Sequence, residues 1–310
     1  MNIFCDYHHG SLYESFVILF EKRLKHNLYR PYGSSWKSDI IWSHPEAIHN
    51  DNVYDFYTGD EKRRISFEQF KNIKIDILIA TVPENIGKFK KIIKEIQPSA
   101  KLIFVPVNNF SLDWKQVDNA MMACSAKPDI KNRMVYHQEF DVINKFNYTP
   151  YQFKQRNKIS TFLKNSKHEE LISLEKRMPD YEFKLYGYGR DIKQLGNLWD
   201  EMKDSMFVFH LKSIGDGYGH IIHNIFATGR VCVTRQSYYK NMMAEALLED
   251  EVTYLNIDGL NEDQIIQKIR KWSNPEMYNQ LSVNAYNRFK SLVDFDREEK
   301  EIEDFLTRLI

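Results

Sequence analysis

The chain has 310 residues, of which 43% are hydrophobic, and its 43 lysines and arginines balance its 43 aspartates and glutamates. This length suits two domains with separate cores, and the hydrophobic share argues against intrinsic disorder. A net charge of zero argues against a protein that coats nucleic acid, and it gives no general attraction to anionic lipid.

The cysteines and the apolar runs indicate in which cellular compartment the protein is expected. Cys5, Cys124 and Cys232 are scattered in apolar surroundings. An odd number of cysteines without local pairing predicts reduced thiols and a cytoplasmic protein. No signal peptide is expected, because the first residues lack a basic region and a long apolar run. No stretch approaches the roughly 20 apolar residues that a membrane-spanning helix needs.

The first segment of the chain predicts the opening unit of an α/β fold. A short apolar strand over 2–6 is followed by the turn Tyr7-His-His-Gly10. Ser11 stands three residues before Glu14, which is the spacing of a capping box, so a helix is expected to begin at Ser11. A strand, a glycine loop and a capped helix in this order are typical of α/β proteins.

Strands and helices alternate through the rest of the first half. Residues 75–82 form a continuous β-branched run, 88–96 have helical spacing, and 101–107 read as the next strand. Shorter strands are expected at 120–126 and 134–137. This alternation predicts a parallel, doubly wound sheet.

After a polar connection at 141–157 the same pattern restarts. A strand at 159–163 precedes a second predicted capping box, Ser166 to Glu169, and a helix at 170–178. Further strands are expected at 183–186, 206–211, 230–234 and 252–256, followed by helices at 262–272, 275–291 and 296–309. No solenoid repeat is visible.

The segment from Asp216 to Gly229, Asp-Gly-Tyr-Gly-His-Ile-Ile-His-Asn-Ile-Phe-Ala-Thr-Gly, is the most informative one. Gly217 and Gly219 permit close backbone approach, and Gly229 stands where a glycine ends a helix. The segment therefore predicts a glycine loop followed by a short helix. The amide end of such a helix suits a phosphate or a sugar oxygen.

This segment resembles the donor-binding motif of retaining GT-B glycosyltransferases, the glycosyl transferases of group 1. Asp216 falls at the first acidic position of the motif, Tyr218-Gly219 at its Phe-Gly, and Asn224 at its second acidic position. The chain departs from the family twice, since Asp216 is shorter than the usual glutamate and Asn224 is neutral. By this resemblance Asp216 contacts the donor sugar as the catalytic residue, and Asn224 holds the ribose, whose hydroxyls an amide can bind.

The resemblance also implies an architecture. The family has a GT-B-like α/β fold, in which two Rossmann-like domains with parallel sheets face each other across a cleft. We expect residues 1–150 to form the acceptor-side domain and 151–292 the domain that binds the nucleotide sugar. Residues 293–310 are a candidate for the helix that crosses back to the first domain in this family.

Further residues follow from the position of the motif. Lys164 and Lys167 are expected to neutralise the donor diphosphate, although two solvated surface lysines would give the same pattern. The Gly-x-Gly after the strand at 183–186 is expected near the nucleotide. Lys212 is expected near a phosphate, although a strand-end lysine that extends to solvent would give the same pattern. The predicted donor site comprises Gly10, Lys164, Lys167, Gly187, Gly189, Lys212, Gly217, Tyr218, Gly219, His220 and Asn224.

Histidines raise two further hypotheses. His8 and His9 are expected on the acceptor side, as contacts rather than as a catalytic base, since no carboxylate that would orient them can be identified. His220 and His223 are three residues apart and could hold a metal, but no third ligand is evident. No metal site is expected.

The sequence therefore predicts a glycosyltransferase that moves a sugar from a nucleoside-diphosphate sugar to an unidentified saccharide or other acceptor. Retention of configuration and independence of metals and cofactors are implied by the resemblance alone. The zero net charge disfavours a nucleic-acid acceptor. Two alternatives stay open: a degenerate, non-catalytic GT-B protein that binds nucleotide or sugar, and a nucleotide-sugar epimerase on the same fold. An epimerase would need several carboxylates that the sequence does not identify.

Overall fold

The computed structural model describes residues 1–6, 10–32, 36, 60–106, 114–124, 130, 132–140, 143–163, 168–186, 198–213 and 217–310. The chain divides into two compact units. Unit 1 contains residues 1–140 and 295–310, and unit 2 contains residues 141–294. Each unit has its own parallel sheet, so the α/β fold predicted from the alternation of strands and helices is confirmed.

The sheet of unit 1 has the strand order β3-β2-β1-β4-β5-β6-β7, and every described pair in it is parallel. The strands are β1 Asn2–Cys5, β2 Asn27–Pro31, β3 Arg64–Ile65, β4 Ile77–Ala80, β5 Lys101–Phe104, β6 Asn119–Met122 and β7 Asn132–Val135. The sequence patterns predicted all of these strands except β2 and β3.

The sheet of unit 2 has the order β12-β11-β10-β8-β9 and is also parallel. Its strands are β8 Asn157–Thr161, β9 Tyr181–Leu185, β10 Phe207–Phe209, β11 Val231–Thr234 and β12 Leu255–Asn256. Strand β12 is shorter than the predicted 252–256. Strands β10 and β11 are buried along their whole length, as expected of central parallel strands covered on both faces.

Helices cover both sheets. They are α1 Gly10–Phe16, which continues as a π-helix over Val17–Arg23, α2 Phe67–Asn72, α3 Pro83–Glu95, α4 Glu169–Arg177, α5 Leu198–Lys203, α6 His220–Ala227, α7 Glu262–Trp272, α8 Pro275–Leu292 and α9 Phe295–Leu309. Among the described helices none is long and apolar enough to cross a bilayer.

Neither helix begins where its predicted capping box would place it, and Ser166 itself lies outside the described residues. Helix α1 begins at Gly10, which makes Ser11 its second residue. An N-cap needs non-helical dihedrals to bring its side chain back to the third amide, and a residue inside the helix lacks them. Helix α4 begins at Glu169 after the N-cap His168, whose φ is +56°, so Glu169 is its first residue rather than its third.

Capping boxes do form at two other helices. Ser66 and Gln69 exchange side-chain-to-backbone hydrogen bonds at the start of α2, and Asn261 and Gln264 do the same at the start of α7. Each pair satisfies two amides that would otherwise lack a partner.

An aromatic cluster forms part of the core of unit 1 around β1. The ring of Phe4 stacks on Trp36 with centroids 4.8 Å apart, and it meets Phe70 edge-on at 4.9 Å. The indole nitrogen of Trp36 donates to the carbonyl of Ile65 at 2.9 Å. The buried Trp36 therefore ties the short strand β3 to the centre of the sheet.

The C-terminal helix α9 belongs to unit 1. Its residues Ile302, Phe305 and Leu306 are buried. The carboxylate of Glu298 accepts from the backbone amide of His137 at 2.7 Å and lies 2.6 Å from its ring Nδ1. Apolar and polar contacts thus join the last residues of the chain to the end of its first half.

Candidate functional site

The sheet of unit 2 reverses its order of construction between β8 and β10. From β8 the chain adds β9 on one side, and it then crosses to the other side for β10, β11 and β12. Ligands of open parallel sheets bind beyond the carboxyl ends of the strands at such a switch point. The segment that leaves β10 and enters α6 lies at this position. The predicted motif therefore lies where an open parallel sheet binds its ligand.

The glycine at the start of α6 is required by the geometry. Gly219 is the N-cap of the helix and has a φ of +79°, a conformation that residues with a side chain rarely adopt. A Cβ atom at Gly219 would lie 3.0 Å from the Cβ of Ala244. Backbone conformation and space therefore both select glycine, and the helix begins where the sequence pattern predicted it.

The amino end of α6 has no side-chain cap, because its N-cap residue is a glycine. The first helical hydrogen bond runs from the amide of His223 to the carbonyl of Gly219 at 3.0 Å. The amides of the first turn precede this bond and lie at the positive end of the helix dipole. Such an end attracts a negatively charged group.

Asn224 lies in the second turn of this helix and is only 4% exposed. Its side-chain oxygen Oδ1 is buried, and in the described part of the chain it has no hydrogen-bond partner. A buried amide oxygen without a donor costs about 1–3 kcal/mol. A hydroxyl group on a ligand would supply the donor that the protein lacks.

Aromatic rings surround the glycine loop. The rings of Tyr218 and His223 are stacked, with centroids 4.1 Å apart and planes 11° apart. His220 meets Tyr218 edge-on at 5.0 Å. The sequence predicts Tyr218 and His220 in the donor site, and it offers His223 only as a metal ligand without a third partner. The stack was not predicted, because a spacing of five residues belongs to no helical pattern.

The end of β10 supplies the neighbouring polar groups. His210 is fully buried, its amide donates to the carbonyl of Val233 at 3.0 Å, and its carbonyl accepts from Oγ1 of Thr234 at 2.5 Å. Lys212 follows two residues later and is half-buried. Lys212 and the buried Gly217 and Tyr218 therefore lie on the same short connection between β10 and α6.

Seven of the predicted site residues lie outside the described residues, namely His8, His9, Lys164, Lys167, Gly187, Gly189 and Asp216. Their roles stay predictions. Gly10 is the first residue of α1. Within the described ranges no cluster of three or more histidines, cysteines or carboxylates suits a metal ion.

Unit 1 has a comparable switch point between β1 and β4. Asp6, which follows β1, is 3% exposed there and accepts hydrogen bonds from the amide and hydroxyl of Thr81 and from Nδ2 of Asn85. Burial raises the pKa of this carboxyl to about 6, although the hydrogen bonds from Thr81 and Asn85 act in the opposite direction. The sequence predicts that Asp6 ends the first strand, and it predicts no role for this carboxyl.

The chain matches no family model, and no curated protein is recognisably similar to it in sequence. Solved structures do match it over its whole length. HepE from Anabaena in complex with UDP and glucose has a TM-score of 0.69 and 12% identity, with 99% of each chain covered.

Two further structures share the same architecture. An alpha-glucosyltransferase in complex with UDP-glucose and DNA containing an abasic site has a TM-score of 0.61 and 12% identity, with 99% of each chain covered. Sucrose-phosphate synthase from Thermosynechococcus elongatus has a TM-score of 0.66 and 9% identity, covering 100% of this chain and 99% of that one. The chain therefore has the fold of GT-B glycosyltransferases.

Proposed function

We propose that this protein is a glycosyltransferase whose donor is a nucleoside-diphosphate sugar bound by unit 2. The observation that carries the proposal is the start of α6. The helix has an amide end without a side-chain cap, and its second turn carries the buried oxygen of Asn224, which has no donor among the described residues. One ligand that carries both a diphosphate and a ribose hydroxyl satisfies both features.

The structural neighbours support a uridine nucleotide. HepE was solved with UDP and glucose, and the alpha-glucosyltransferase was solved with UDP-glucose, both on the fold of this chain. We therefore propose a UDP-sugar as the donor. The amides of the first turn of α6 bind its diphosphate, and Asn224 Oδ1 accepts from a ribose hydroxyl.

The remaining roles follow from the resemblance. Asp216 contacts the donor sugar as the catalytic residue, and Lys164, Lys167 and Lys212 neutralise charge on the leaving diphosphate. The acceptor attacks from the face that the diphosphate leaves, and a diphosphate oxygen takes the proton of the attacking hydroxyl. The configuration of the sugar is then retained, and neither a metal nor a cofactor is needed.

The acceptor binds on the side of unit 1, where His8, His9 and Gly10 follow β1. We propose a saccharide or another hydroxyl-bearing acceptor. The second candidate function is a GT-B protein that binds a nucleotide or a sugar without catalysis. The neutral Asn224 at the second acidic position of the motif favours this alternative.

Thermal unfolding with a panel of nucleoside diphosphates and their sugars, with and without Mg²⁺, tests the proposal. A ligand at 100 times its dissociation constant adds about 2.7 kcal/mol of stability, which gives a clear melting shift. We expect a shift with uridine nucleotides that does not depend on Mg²⁺. No shift with any nucleotide would contradict the proposal.

Substitutions separate binding from transfer. Asn224→Ala should abolish most of the UDP-induced shift, since it removes the oxygen that accepts from the ribose. Asn287→Ala, at an exposed asparagine of α8, is the matched control and should leave the shift unchanged.

Asp216→Asn should keep the shift and abolish transfer from a UDP-sugar, as measured by the release of UDP. If the protein binds UDP but releases none with any acceptor, the non-catalytic alternative holds.

A further inference from the structure

We propose that Tyr218 and His223 form a positioning pair that holds the glycine loop of unit 2 in the conformation that binds the donor. The inference rests on the proposed function, and it assigns roles to two aromatic residues that do not themselves contact the reacting atoms. Tyr218 is 3% exposed and His223 is 1% exposed. Their stack joins the loop before α6 to the second turn of that helix.

His223 holds the loop at one atom, the carbonyl oxygen of Gly219. The backbone amide of His223 donates to this oxygen at 3.0 Å, and the ring Nδ1 also lies 3.0 Å from it. A carbonyl oxygen only accepts, so Nδ1 carries a hydrogen and donates. Two donors from one residue therefore fix the direction of the Gly219 carbonyl.

This carbonyl controls an amide of the proposed diphosphate site. The peptide unit between Gly219 and His220 is planar and trans, so its C=O and N–H point in opposite directions. Fixing the oxygen of Gly219 towards His223 therefore aims the amide of His220 away from the helix. That amide is the first of the helix, and it points to the place where the dipole favours an anion.

The loop needs a restraint on its backbone because it contains two glycines. Gly217 and Gly219 flank Tyr218, and a glycine backbone has more conformational freedom than any other residue. Gly219 itself cannot be replaced by a stiffer residue, given its φ of +79° and the nearby Ala244. The stack on Tyr218 restricts the loop without a side chain at either glycine. A site organised before the ligand arrives binds more tightly, since less ordering is needed on binding.

The experiment measures the dissociation constant of UDP by calorimetry, well below the melting temperature of each variant. His223→Leu removes the stack and the ring hydrogen bond together, and we expect UDP to bind roughly tenfold more weakly. His223→Phe keeps an aromatic ring of similar size but loses the Nδ1 donor, and we expect a smaller loss. Asn287→Ala, at the exposed asparagine of α8, is the control and should bind UDP within twofold of the unchanged protein.

Kinetics distinguish positioning from a merely structural role. We expect the KM for the donor to rise in His223→Leu while kcat changes by less than twofold, because the pair acts on binding geometry. A variant that is only less stable would melt earlier and bind UDP with an unchanged dissociation constant. That result would overturn the inference.

UDP binding by the unchanged protein tests the proposed function, and UDP binding by the His223 variants tests the positioning role. If the unchanged protein binds no nucleoside diphosphate, the proposed function fails and the pair has no donor to position. If the unchanged protein binds UDP and both His223 variants bind it equally well, the proposed function stands and the positioning role is wrong. His223→Phe keeps the core filled, so it provides a folded variant if His223→Leu does not fold.

Discussion

The carboxyl of Asp6 shows how burial and hydrogen bonding compete at a single residue. The group is almost fully buried at the end of β1, and burial penalises its charged form. The backbone amide and hydroxyl of Thr81 and the side-chain Nδ2 of Asn85 favour the charged form by donating to it. Burial prevails, and the pKa rises from 3.8 to about 6.

This pKa predicts a pH dependence of stability with a defined sign. Between pH 4 and 6 the folded state holds a proton on Asp6 that the unfolded state has lost, so the free energy of unfolding falls as the pH rises through this window. The difference between the pKa values of the folded and unfolded states corresponds to about 3 kcal/mol. A ¹³C titration of the carboxyl, assigned with Asp6→Asn, should give a midpoint near 6. A midpoint below 4 would show that the three donors outweigh burial.

Some of the site residues could be predicted from the sequence, and others could not. Gly219 and Gly229 are required by local backbone geometry, which a short pattern of residues encodes. Asp6 acts through Thr81 and Asn85, which are more than seventy residues away in the sequence. Trp36 likewise packs against Phe4 and Phe70 through tertiary contacts. No local pattern shows such contacts.

Helix α6 is bounded by two glycines, Gly219 and Gly229. Its carboxyl end is a Schellman motif, in which the amide of Gly229 donates to Phe226 and the amide of Arg230 donates to Ile225, both at 3.0 Å. Gly229 has a φ of +65° and packs closely against Tyr148. The short helix therefore has both ends fixed by glycine conformations.

Two glycine substitutions separate backbone strain from a steric clash. Gly229→Ala would place a Cβ 2.5 Å from Cδ2 of Tyr148, whereas Gly259, with a φ of +70°, has nothing within 4 Å of such an atom. Gly259→Ala should cost about 1–2 kcal/mol of unfolding free energy from the left-handed backbone alone. Gly229→Ala should cost about 1–3 kcal/mol more, since the clash adds to the strain. Urea denaturation measures both, and equal losses would contradict the close packing of Tyr148.

Elements were predicted well where a long apolar run or a strong helical period identifies them, as in β4, α7 and α8. Strand β3 was missed because it has only two residues, and β2 because its sequence, Asn-Leu-Tyr-Arg-Pro, has a buried arginine at its fourth position. The predicted boxes Ser11–Glu14 and Ser166–Glu169 have the same spacing as the real one at Ser66, yet α1 begins at Gly10 and α4 at Glu169. Spacing alone therefore does not determine where a helix begins.

The chain returns to unit 1 through an acidic helix, α9. Helix α9 carries six acidic and three basic side chains. Arg23 donates to Asp296 at 2.8 Å and to Glu299 at 3.0 Å, and Nε2 of His26 lies 2.9 Å from Glu303. Beside the buried apolar residues of α9, charge complementarity thus fixes the helix to the first half of the chain.

Among these contacts the buried Glu298 should contribute most to the stability of unit 1. Its carboxylate, 6% exposed, faces the backbone amide and the ring Nδ1 of His137. Glu298→Ala would remove this acceptor from both half-buried groups of His137, and we expect a loss of about 2–4 kcal/mol. Glu301 is 51% exposed and lies 3.6 Å from Arg297, so Glu301→Ala, the control on the same helix, should change stability by less than about 1 kcal/mol.

Hydrogen exchange at the amides of β1 measures the effect in unit 1 alone, which matters because a chain with two compact units need not unfold in one step. Exchange that proceeds through global unfolding of unit 1 should accelerate on the order of 30-fold or more in Glu298→Ala, and little in Glu301→Ala. Equal rates in the two variants would mean that the contacts of Glu298 with His137 contribute as little to the stability of unit 1 as an exposed surface pair does.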